Sequence, residues 1–355
     1  MRPIQLNFII DNIDDVRKVH NMMQNRYSRQ MLFQEIGTEG QHKINSKTVL
    51  IVGMGALGTH LAEGLVRAGV KQLRIIDRDY IEASNLQRQT LFTEEDARHA
   101  IPKVVAAERV LKAIRSDVLI EPIIDHADVH TLNALIDDVD LIMDATDNFE
   151  TRMVINDVAF KHQIPWIYGG VVRSTYVEAP FIPGETPCFQ CLVPQIPSMN
   201  LTCDTVGVIQ PAVTMTTSFQ LKDALKILTE TPFKPKLTYG DIWEGTHHTF
   251  GFSKLQRDDC PTCGQHPMYP YLEQQQSHIA SLCGRDTVQY QHPELHIKTL
   301  VEFLEQRHIA YKSNGYMVQF VFQHHRMIGF QNGRLLIHGI KETDKAYTII
   351  NQLFG

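Results

Sequence analysis

Residues 48–77 read TVLIVGMGALGTHLAEGLVRAGVKQLRIID, and this stretch decides the fold. The apolar run 49–52 is typical of a buried parallel strand. It leads into a G-x-G-x-x-G turn made by Gly53, Gly55 and Gly58. Glycines there let the backbone approach a phosphate, which the start of the next helix attracts. The stretch therefore predicts the first strand–helix–strand unit of a Rossmann-like, doubly wound α/β sheet.

Asp77 closes a second apolar run, 73–76, that follows the predicted helix. This fold places a carboxylate on the ribose hydroxyls of a nucleotide about 20 residues after the glycine turn. We therefore predict that the three glycines and Asp77 bind a nucleotide, the alternative being a strand–helix–strand unit without one. The glycine motif alone does not separate NAD from ATP.

The composition is that of an ordinary globular protein, with 43% hydrophobic and 21% charged residues among 355. This length predicts one large domain with something smaller beside it. The net charge of -6 gives no general attraction to nucleic acid or to an anionic membrane, so neither is expected as a partner. No apolar run reaches spanning length and no signal pattern opens the chain. We expect a cytoplasmic protein.

Residues 1–25 form an N-terminal extension before the recognisable sequence, which begins with RYSRQ at 26–30. Two methionines, Met22 and Met23, stand directly before that motif. One hypothesis is that translation begins at one of them; a structured extension is the other.

A polar loop, 78–90, follows Asp77 and departs from the pattern of a dehydrogenase. It carries Arg88, and Lys103 lies at the start of a predicted helix that ends at Ile114. A cation at a helix start opposes the helix dipole, which suggests an anionic partner. Together Arg88 and Lys103 predict a grip on a polyphosphate, whereas either one alone is read as solvated surface.

A further buried strand, 140–143, is followed by the segment DATDN at 144–148. Open parallel sheets bind ligands beyond the carboxyl ends of their strands. A carboxylate there, opposite a phosphate turn, is placed to hold Mg²⁺, and Asp147 is the candidate. Two alternatives stay open: Asp144 as a buried hydrogen-bonding carboxylate, and Asp147 as the N-cap of the helix predicted over 150–161. Another strand is predicted over 164–170.

The cysteines carry the most specific metal signal. Four of the six form two C-x-x-C pairs, Cys188 with Cys191 and Cys260 with Cys263. Four thiolates in this pattern match a closed tetrahedral zinc site, which has no open position for catalysis. We therefore predict a structural zinc that ties a distant segment back onto the main domain.

Cys203 stands apart in a polar loop, 199–207, before an apolar helix predicted over 211–228. A thiol in such a loop is a candidate to attack an activated acyl group. An idle cysteine is the alternative, and the sequence does not decide between them.

Taken together, these elements resemble the ThiF/MoeB/HesA family, the bacterial relatives of ubiquitin-activating enzymes, over about residues 26–265. The motifs that carry the resemblance are RYSRQ at 26–30, GMGALG at 53–58, SNLQRQ at 84–89, PK at 102–103, DATDN at 144–148, CFQC at 188–191 and CPTC at 260–263.

The resemblance implies an adenylyltransferase that uses ATP and Mg²⁺ to adenylate the C-terminal Gly-Gly of a small ubiquitin-like sulfur carrier. A sulfur donor, such as a cysteine desulfurase or a rhodanese, would then act on the adenylate. Family members are typically homodimers, in which the position of Arg29 reaches the partner's ATP. Cys203 falls where thiazole-pathway members keep a cysteine that engages the activated carrier.

The family's other roles follow from the same motifs. By resemblance, Arg88 and Lys103 bind phosphates, Asp77 the ribose, Asn85 the phosphate region and Asp147 the metal. One departure concerns 173–177, where the family usually has a glycine-containing turn and this chain reads RSTYV. That strand lies near the expected carrier site, so the carrier preference is in doubt.

The resemblance ends after residue 265. We predict a linker at 266–280 and a small α+β module at 281–355. The role of the module is unknown; our hypothesis is that it docks a partner or the carrier. Asn332-Gly333 is a good hairpin turn. The predicted elements are strands over 287–290, 316–322, 326–330 and 334–337 and helices over 297–307 and 342–353.

Three function hypotheses remain. The favoured one is the carrier adenylyltransferase. Within it, the sequence does not separate a carrier for molybdopterin synthesis from one for thiamine thiazole synthesis. We lean to molybdopterin, and one enzyme that serves both pathways stays open. The second is a family relative acting on another carboxylate, such as a tRNA-modification dehydratase. The third is a non-catalytic scaffold, against which the intact cations argue. An NAD dehydrogenase ranks lower still.

Overall fold

The computed structural model describes residues 26–195, 206–273, 279–281, 286–292 and 295–354. The predictions for the N-terminal extension, the translation start and Cys203 lie outside these ranges.

The first part of the chain alternates strands and helices, as predicted. Its elements are α1 Ser28–Met31, α2 Gly37–Ile44, β1 Thr48–Val52, α3 Ala56–Ala68, β2 Gln72–Ile76, α4 Glu94–Arg98, α5 Lys103–Ile114, β3 Leu119–Ile123, α6 Val129–Leu135, β4 Leu141–Asp144, α7 Phe149–Lys161, β5 Trp166–Val172, β6 Thr175–Phe181, α8 Phe189–Leu192, α9 Gln210–Leu228, β7 Leu237–Asp241 and β8 Thr246–Phe250.

These strands form one eight-stranded sheet in the order β3-β2-β1-β4-β5-β6-β7-β8. The first five run parallel, and β6, β7 and β8 extend the sheet as antiparallel strands. The chain turns from β1 toward β2 and β3 and later returns to place β4 on the other side of β1. This switch point is where a doubly wound sheet opens a crevice for a ligand, so the predicted fold class is confirmed.

The alternation of β1 explains why helices cover both faces. Val49 and Ile51 join a core with α3, α5 and α9, whereas Leu50 and Val52 join a core with α6 and α7. All five residues of the strand are buried. A continuous apolar run is therefore required, because neither face of this strand meets water.

Several strands differ from the sequence prediction, and β7 and β8, which follow α9, were not predicted. The strand β3 was not predicted because its apolar pattern is weak. It lies at the edge of the sheet, where Leu119 is 53% exposed and Glu121 is also exposed. The strand predicted over 164–170 begins two residues later and runs on to Val172, so its glycines lie inside the strand. Arg173 then takes a left-handed φ of 56° in the hairpin to β6.

Residues 266–273, placed in the linker by the sequence, include a segment that packs on the main domain. Tyr269, Tyr271 and Leu272 contact the core beneath α7, and the Tyr271 amide donates to Asp157 (2.9 Å).

The C-terminal module is defined here as β9 to α11, and it is an α+β unit as predicted. Its elements are β9 Ile279–Ser281, β10 Thr287–Gln291, α10 Ile297–Gln306, β11 Tyr311–Ser313, β12 Met317–Phe322, β13 His325–Phe330, β14 Arg334–His338 and α11 Thr343–Phe354. The strands form an antiparallel sheet in the order β11-β12-β13-β14-β10-β9. The predicted hairpin at Asn332-Gly333 is confirmed, with Gly333 at φ 83°.

The module's sheet is covered on both faces. The helices α10 and α11 pack on one face through residues such as Leu300 and Ile350. The opposite face contacts the domain that carries the eight-stranded sheet, which we call the nucleotide-fold domain. Its apolar residues there are Met317, Ile328, Phe330 and Leu336, against Tyr80, Ala100 and Ile124. Among the described residues no helix combines the length and the apolar character needed to cross a bilayer.

Candidate active site and metal centre

The glycine turn is shaped by close approach of the backbone. Gly53 has a φ of +97°, and a Cβ on it would lie 2.6 Å from the carbonyl oxygen of Ala145. A Cβ on Gly58 would lie 2.1 Å from the carbonyl oxygen of Gly53. Neither position tolerates a side chain, so both glycines hold the turn against the end of β4.

Gly55 is different because its missing side chain leaves open space. The one neighbour within contact of a Cβ there is the Gln89 amide nitrogen, at 3.9 Å. Gly55 is also the N-cap residue of α3, so the first amides of that helix face the same space. An anion fits this place, since unpaired helix amides attract negative charge.

Gln89 is a residue of this space to which the sequence assigned no role. Its side chain is buried, and its Oε1 atom has no hydrogen-bond partner among the described residues. A buried acceptor without a partner is costly. The signal in the sequence was its place in the SNLQRQ motif, but a motif does not say which of its side chains turns inward.

Asp77 and Lys103 belong to one chain of polar contacts. The two carboxylate oxygens of Asp77 accept hydrogen bonds from the backbone amides of Met54 (2.6 Å) and Asp79 (2.7 Å). The Asp79 carboxylate contacts the Lys103 ammonium at 3.3 Å. The predicted ribose carboxylate is thus tied to the glycine turn on one side and to the predicted phosphate lysine on the other.

The predicted phosphate loop lies beside the glycine turn, where Gln89 places it. Asn85 is buried, and its Oδ1 accepts from the backbone amide of Glu82 (2.9 Å), so this side chain shapes the loop. Arg88 is half-buried and donates to the carbonyl of Ser84 (2.9 Å). Its guanidinium has further N–H groups beyond that bond.

The segment after β4 separates the two aspartates that the sequence left open. Asp144 is fully buried and accepts from Arg152 Nε (2.9 Å) and from the Thr146 amide (2.9 Å), as one alternative had it. Asn148, and not Asp147, caps α7 by accepting from the Thr151 amide (2.8 Å), so the N-cap alternative is wrong. Asp147 is exposed at the edge of the crevice.

Arg152, on α7, holds the segment after β4 in place by hydrogen bonds. Its guanidinium donates to the carbonyls of Thr146 (2.6 Å) and Gly169 (3.1 Å) as well as to Asp144. Burial, the largest single influence, opposes the charge, but Asp144 together with Tyr168 and Asp147 outweighs it and raises the pKa of Arg152. The predicted magnesium carboxylate therefore sits on a rigid, charge-compensated turn.

The four cysteines of the two C-x-x-C pairs meet, as predicted. Their sulfur atoms all lie within 4.8 Å of one another, and Cys188–Cys260 and Cys191–Cys263 are each 3.5 Å apart. A tetrahedral zinc–thiolate site has sulfur atoms about 3.8 Å apart, given Zn–S bonds of about 2.3 Å. The donor set and its spacing therefore fit Zn²⁺.

Buried polar groups on α7 support this centre, and the sequence gave no signal for them. Asn156 accepts from the Phe189 amide (2.8 Å) in the first cysteine pair. Asp157 accepts from the Thr262 hydroxyl (2.5 Å) in the second. Arg257 lies beside Cys191 and Cys260, whose sulfurs raise the pKa of its guanidinium. A cation there compensates the negative charge of thiolates.

The structure thus places several of the predicted site residues after the ends of the adjacent strands β1, β2 and β4. The glycine turn is linked to Lys103 through Asp77 and Asp79, and Asp147 lies two residues after Ala145, which touches the glycine turn. Arg29 stands apart from these contacts, exposed on the short helix α1.

Comparison with known proteins agrees with this arrangement. The model of the ThiF family matches residues 27–262. The chain therefore belongs to the ThiF family.

Three similar proteins define its relationships further. The chain is 42% identical over 337 residues to the sulfur carrier protein ThiS adenylyltransferase of Bacillus subtilis (strain 168), covering 94% of this chain and 100% of the relative. It is 34% identical over 250 residues to the molybdopterin-synthase adenylyltransferase of Escherichia coli (strain K12), covering 68% and 96%. The crystal structure of E. coli MccB shares the fold, with a TM-score of 0.60 at 23% identity over 72% of this chain and 75% of that one.

The first of these matches reaches beyond the family domain. Because it includes 94% of this chain, it extends into the C-terminal module. The module is therefore not peculiar to this chain.

Proposed function

We propose that this protein uses ATP to adenylate the C-terminal glycine of a small ubiquitin-like sulfur-carrier protein, and that the carrier is of the ThiS type that serves thiamine thiazole synthesis. The observation that carries the proposal is the chain of contacts that runs from the glycine turn through Asp77 and Asp79 to Lys103. The relative matched over nearly the whole chain, named for ThiS, supports the choice of carrier over the molybdopterin carrier.

The reaction follows from the charges at the crevice. The terminal carboxylate of the carrier is already ionised at neutral pH, so no protein base is required. Its oxygen attacks the α-phosphorus; a carboxyl–phosphate bond forms, and the bond to the pyrophosphate oxygen breaks and gives its electron pair to pyrophosphate. The chain's task is to align two anions and to neutralise the charge on the phosphates.

Each proposed residue has a part in that task. Arg88 and Lys103 hold the phosphates by charge, and Asp77 accepts hydrogen bonds from ribose hydroxyls with the lone pairs that its backbone contacts leave. Asp147, exposed beside the glycine turn, is the proposed carboxylate ligand of magnesium. Magnesium, when bound, neutralises phosphate oxygens. Asn85 acts by shaping the loop that carries Arg88.

Other parts of the proposal rest on the family and on the sequence. We place the enzyme in the cytoplasm as a homodimer, in which exposed Arg29 reaches the partner's ATP. The carrier adenylate is then passed to a sulfur donor such as a cysteine desulfurase or a rhodanese, with Cys203 as the candidate to engage the activated carrier. Zinc at the four cysteines is structural, because a closed tetrahedral set leaves no open position.

The test is ATP–pyrophosphate exchange with purified protein and magnesium, without a carrier and with a ThiS-type or a molybdopterin-type carrier. We expect exchange that depends on the carrier and is faster with the ThiS type. Replacing Arg88 by methionine should lower the exchange rate on the order of a hundredfold, by analogy with other preorganised charge stabilisers. The matched control is Arg67→Met, since Arg67 is an exposed arginine of α3 paired with Glu63.

Two outcomes would contradict the proposal. Faster exchange with the molybdopterin-type carrier would overturn the choice of carrier but not the reaction. No exchange with either carrier, in a protein that binds ATP, would point to another carboxylate acceptor.

A further inference from the structure

The C-terminal module sends one charged side chain into the nucleotide-fold domain. Arg334 is the first residue of β14 and is 0% exposed. Its Nη2 donates a hydrogen bond to the backbone carbonyl of Arg78, and its guanidinium carbon lies 4.0 Å from the centre of the Phe330 ring. Its Nε and Nη1 have no hydrogen-bond partner within the described chain.

Burying a charged guanidinium without partners for all of its N–H groups costs free energy, so the position of Arg334 requires an explanation. Burial lowers the pKa of Arg334 to about 10, which leaves the guanidinium charged at neutral pH. The charges that favour it are the carboxylates of Asp79, Asp125 and Asp77. The guanidinium therefore adds a positive charge beside these three carboxylates, of which Asp79 is also paired with Lys103.

The carbonyl that Arg334 holds belongs to the peptide group whose Asp79 amide donates to the Asp77 carboxylate (2.7 Å). Arg78 stands between Asp77, whose carboxylate accepts from the Met54 amide of the glycine turn, and Asp79, which contacts Lys103. Fixing this carbonyl therefore fixes the orientation of the Asp77 carboxylate. We call residues 77–79 the ribose turn.

Neighbouring contacts show that the module is seated along the ends of β2 and β3. Asn332 donates to Asp125 (2.9 Å) just after β3, and Arg326 donates to the Tyr80 hydroxyl (3.0 Å) beyond β2. Asn314 donates to the carbonyls of His99 (2.9 Å) and Ala100 (3.1 Å) before α5. Arg334 is thus one of several contacts, and the one that reaches the ribose turn.

We propose that Arg334 is a positioning residue for ATP: it holds the ribose turn so that the Asp77 carboxylate meets the ribose hydroxyls. This rests on the proposed function, which assigns the ribose to Asp77. The module then has a defined role, since its sheet supplies a buried donor to the backbone of the ribose turn. Without it the peptide group of the Arg78 carbonyl and the Asp79 amide is no longer held, so the Asp77 carboxylate that accepts from that amide loses its fixed orientation.

The test compares two nucleotides on the full-length protein. Equilibrium binding of ATP and of 2′,3′-dideoxy-ATP is measured for the wild type, Arg334→Met, Arg334→Lys and the matched control Arg326→Met, which alters the same interface away from the ribose turn. Arg334→Met should weaken ATP binding about tenfold, the effect of losing one charge-assisted hydrogen bond. Binding of the dideoxy nucleotide should change much less, since it lacks the hydroxyls that Asp77 accepts from.

The preference for ATP over its dideoxy analogue is the deciding quantity. It should shrink in Arg334→Met, recover in part in Arg334→Lys, which keeps the charge, and stay at the wild-type value in Arg326→Met. Equal weakening of both nucleotides, or an unchanged preference, would overturn the inference. If thermal melting shows that Arg334→Met does not fold, Arg334→Lys decides: a preference equal to that of the wild type refutes the role.

Failure of the wild type to bind ATP at all would instead refute the proposed function. The two failures are therefore distinguishable, because the inference about Arg334 is judged on variants of a protein that binds the nucleotide.

Discussion

His126 should make the stability of this protein depend on pH in the mildly acidic range. It follows β3 and is largely buried beside the C-terminal module. A guanidinium can only donate, so the contact of Arg78 Nη1 with His126 Nδ1 (3.1 Å) requires a neutral imidazole that accepts there. Burial, followed by the charge of Arg78, lowers the pKa of His126 from 6.5 to about 4.

The surrounding charges oppose one another without restoring the ordinary pKa. Arg334 also disfavours protonation of His126, whereas Asp128 and Asp79 favour it. Because the native pKa lies below the unfolded one, the unfolded chain binds more protons between pH 6.5 and about 4. The native state is therefore destabilised as the pH falls through this window, by about 2 kcal/mol between pH 7 and pH 5.

The measurement pairs urea unfolding at pH 7 and pH 5 with nuclear magnetic resonance of the histidine ring carbons. His126→Asn keeps an acceptor near the position of Nδ1 but does not titrate. The stability difference between wild type and variant should therefore shift by about 2 kcal/mol, in favour of the variant, on going from pH 7 to pH 5. The same substitution at exposed His162 controls for the loss of a histidine.

The signal that disappears in His126→Asn is that of His126. If this signal titrates near pH 6.5 in the wild type, the reasoning is refuted. An identical pH dependence of unfolding in the two proteins would also refute it, because the whole effect is attributed to one side chain.

Two further predictions concern the metal centre and the glycine turn. Cys263→Ala should lower the zinc content well below one equivalent per chain and reduce the melting temperature, because three thiolates no longer close the site; metal analysis and thermal melting test this, and full zinc retention would contradict it. Gly58→Ala should destabilise the fold, since its Cβ would lie 2.1 Å from the Gly53 carbonyl, whereas Gly55→Ala should melt like the wild type but bind ATP more weakly. Equal melting temperatures for the two alanine variants would contradict the geometry of the turn.

Much of the fold was predictable because its signals are local. The strand–helix–strand unit at 48–77 shows its period and its turn residues within thirty positions of sequence. Four of the module's strands and both its helices likewise lie where the sequence predicted them, whereas the short strands β9 and β11 were not predicted. The spacing of the two C-x-x-C pairs predicted that their four cysteines cluster, because the two pairs supply four thiols of the kind that one metal site requires.

The distinction between Asp144, Asp147 and Asn148 was not available from the sequence. All three have side chains able to cap a helix or to hold a metal. The structure separates them because Arg152, one turn into α7, draws Asp144 inward, and Asn148 then occupies the capping position. Asp147 is left exposed as a result of its neighbours' contacts and not of its own residue type.

The sequence by itself determined the class of fold, the glycine turn, the set of four cysteines and the family, because each depends on residue types at short, regular spacings. Only the tertiary structure decided that Gln89 and Asp157 turn inward and that Arg334 reaches the carbonyl of Arg78, 256 positions away. Burial and contact between segments distant in sequence set those roles. Periodicity reports the face on which a residue lies, but not the group that it meets there.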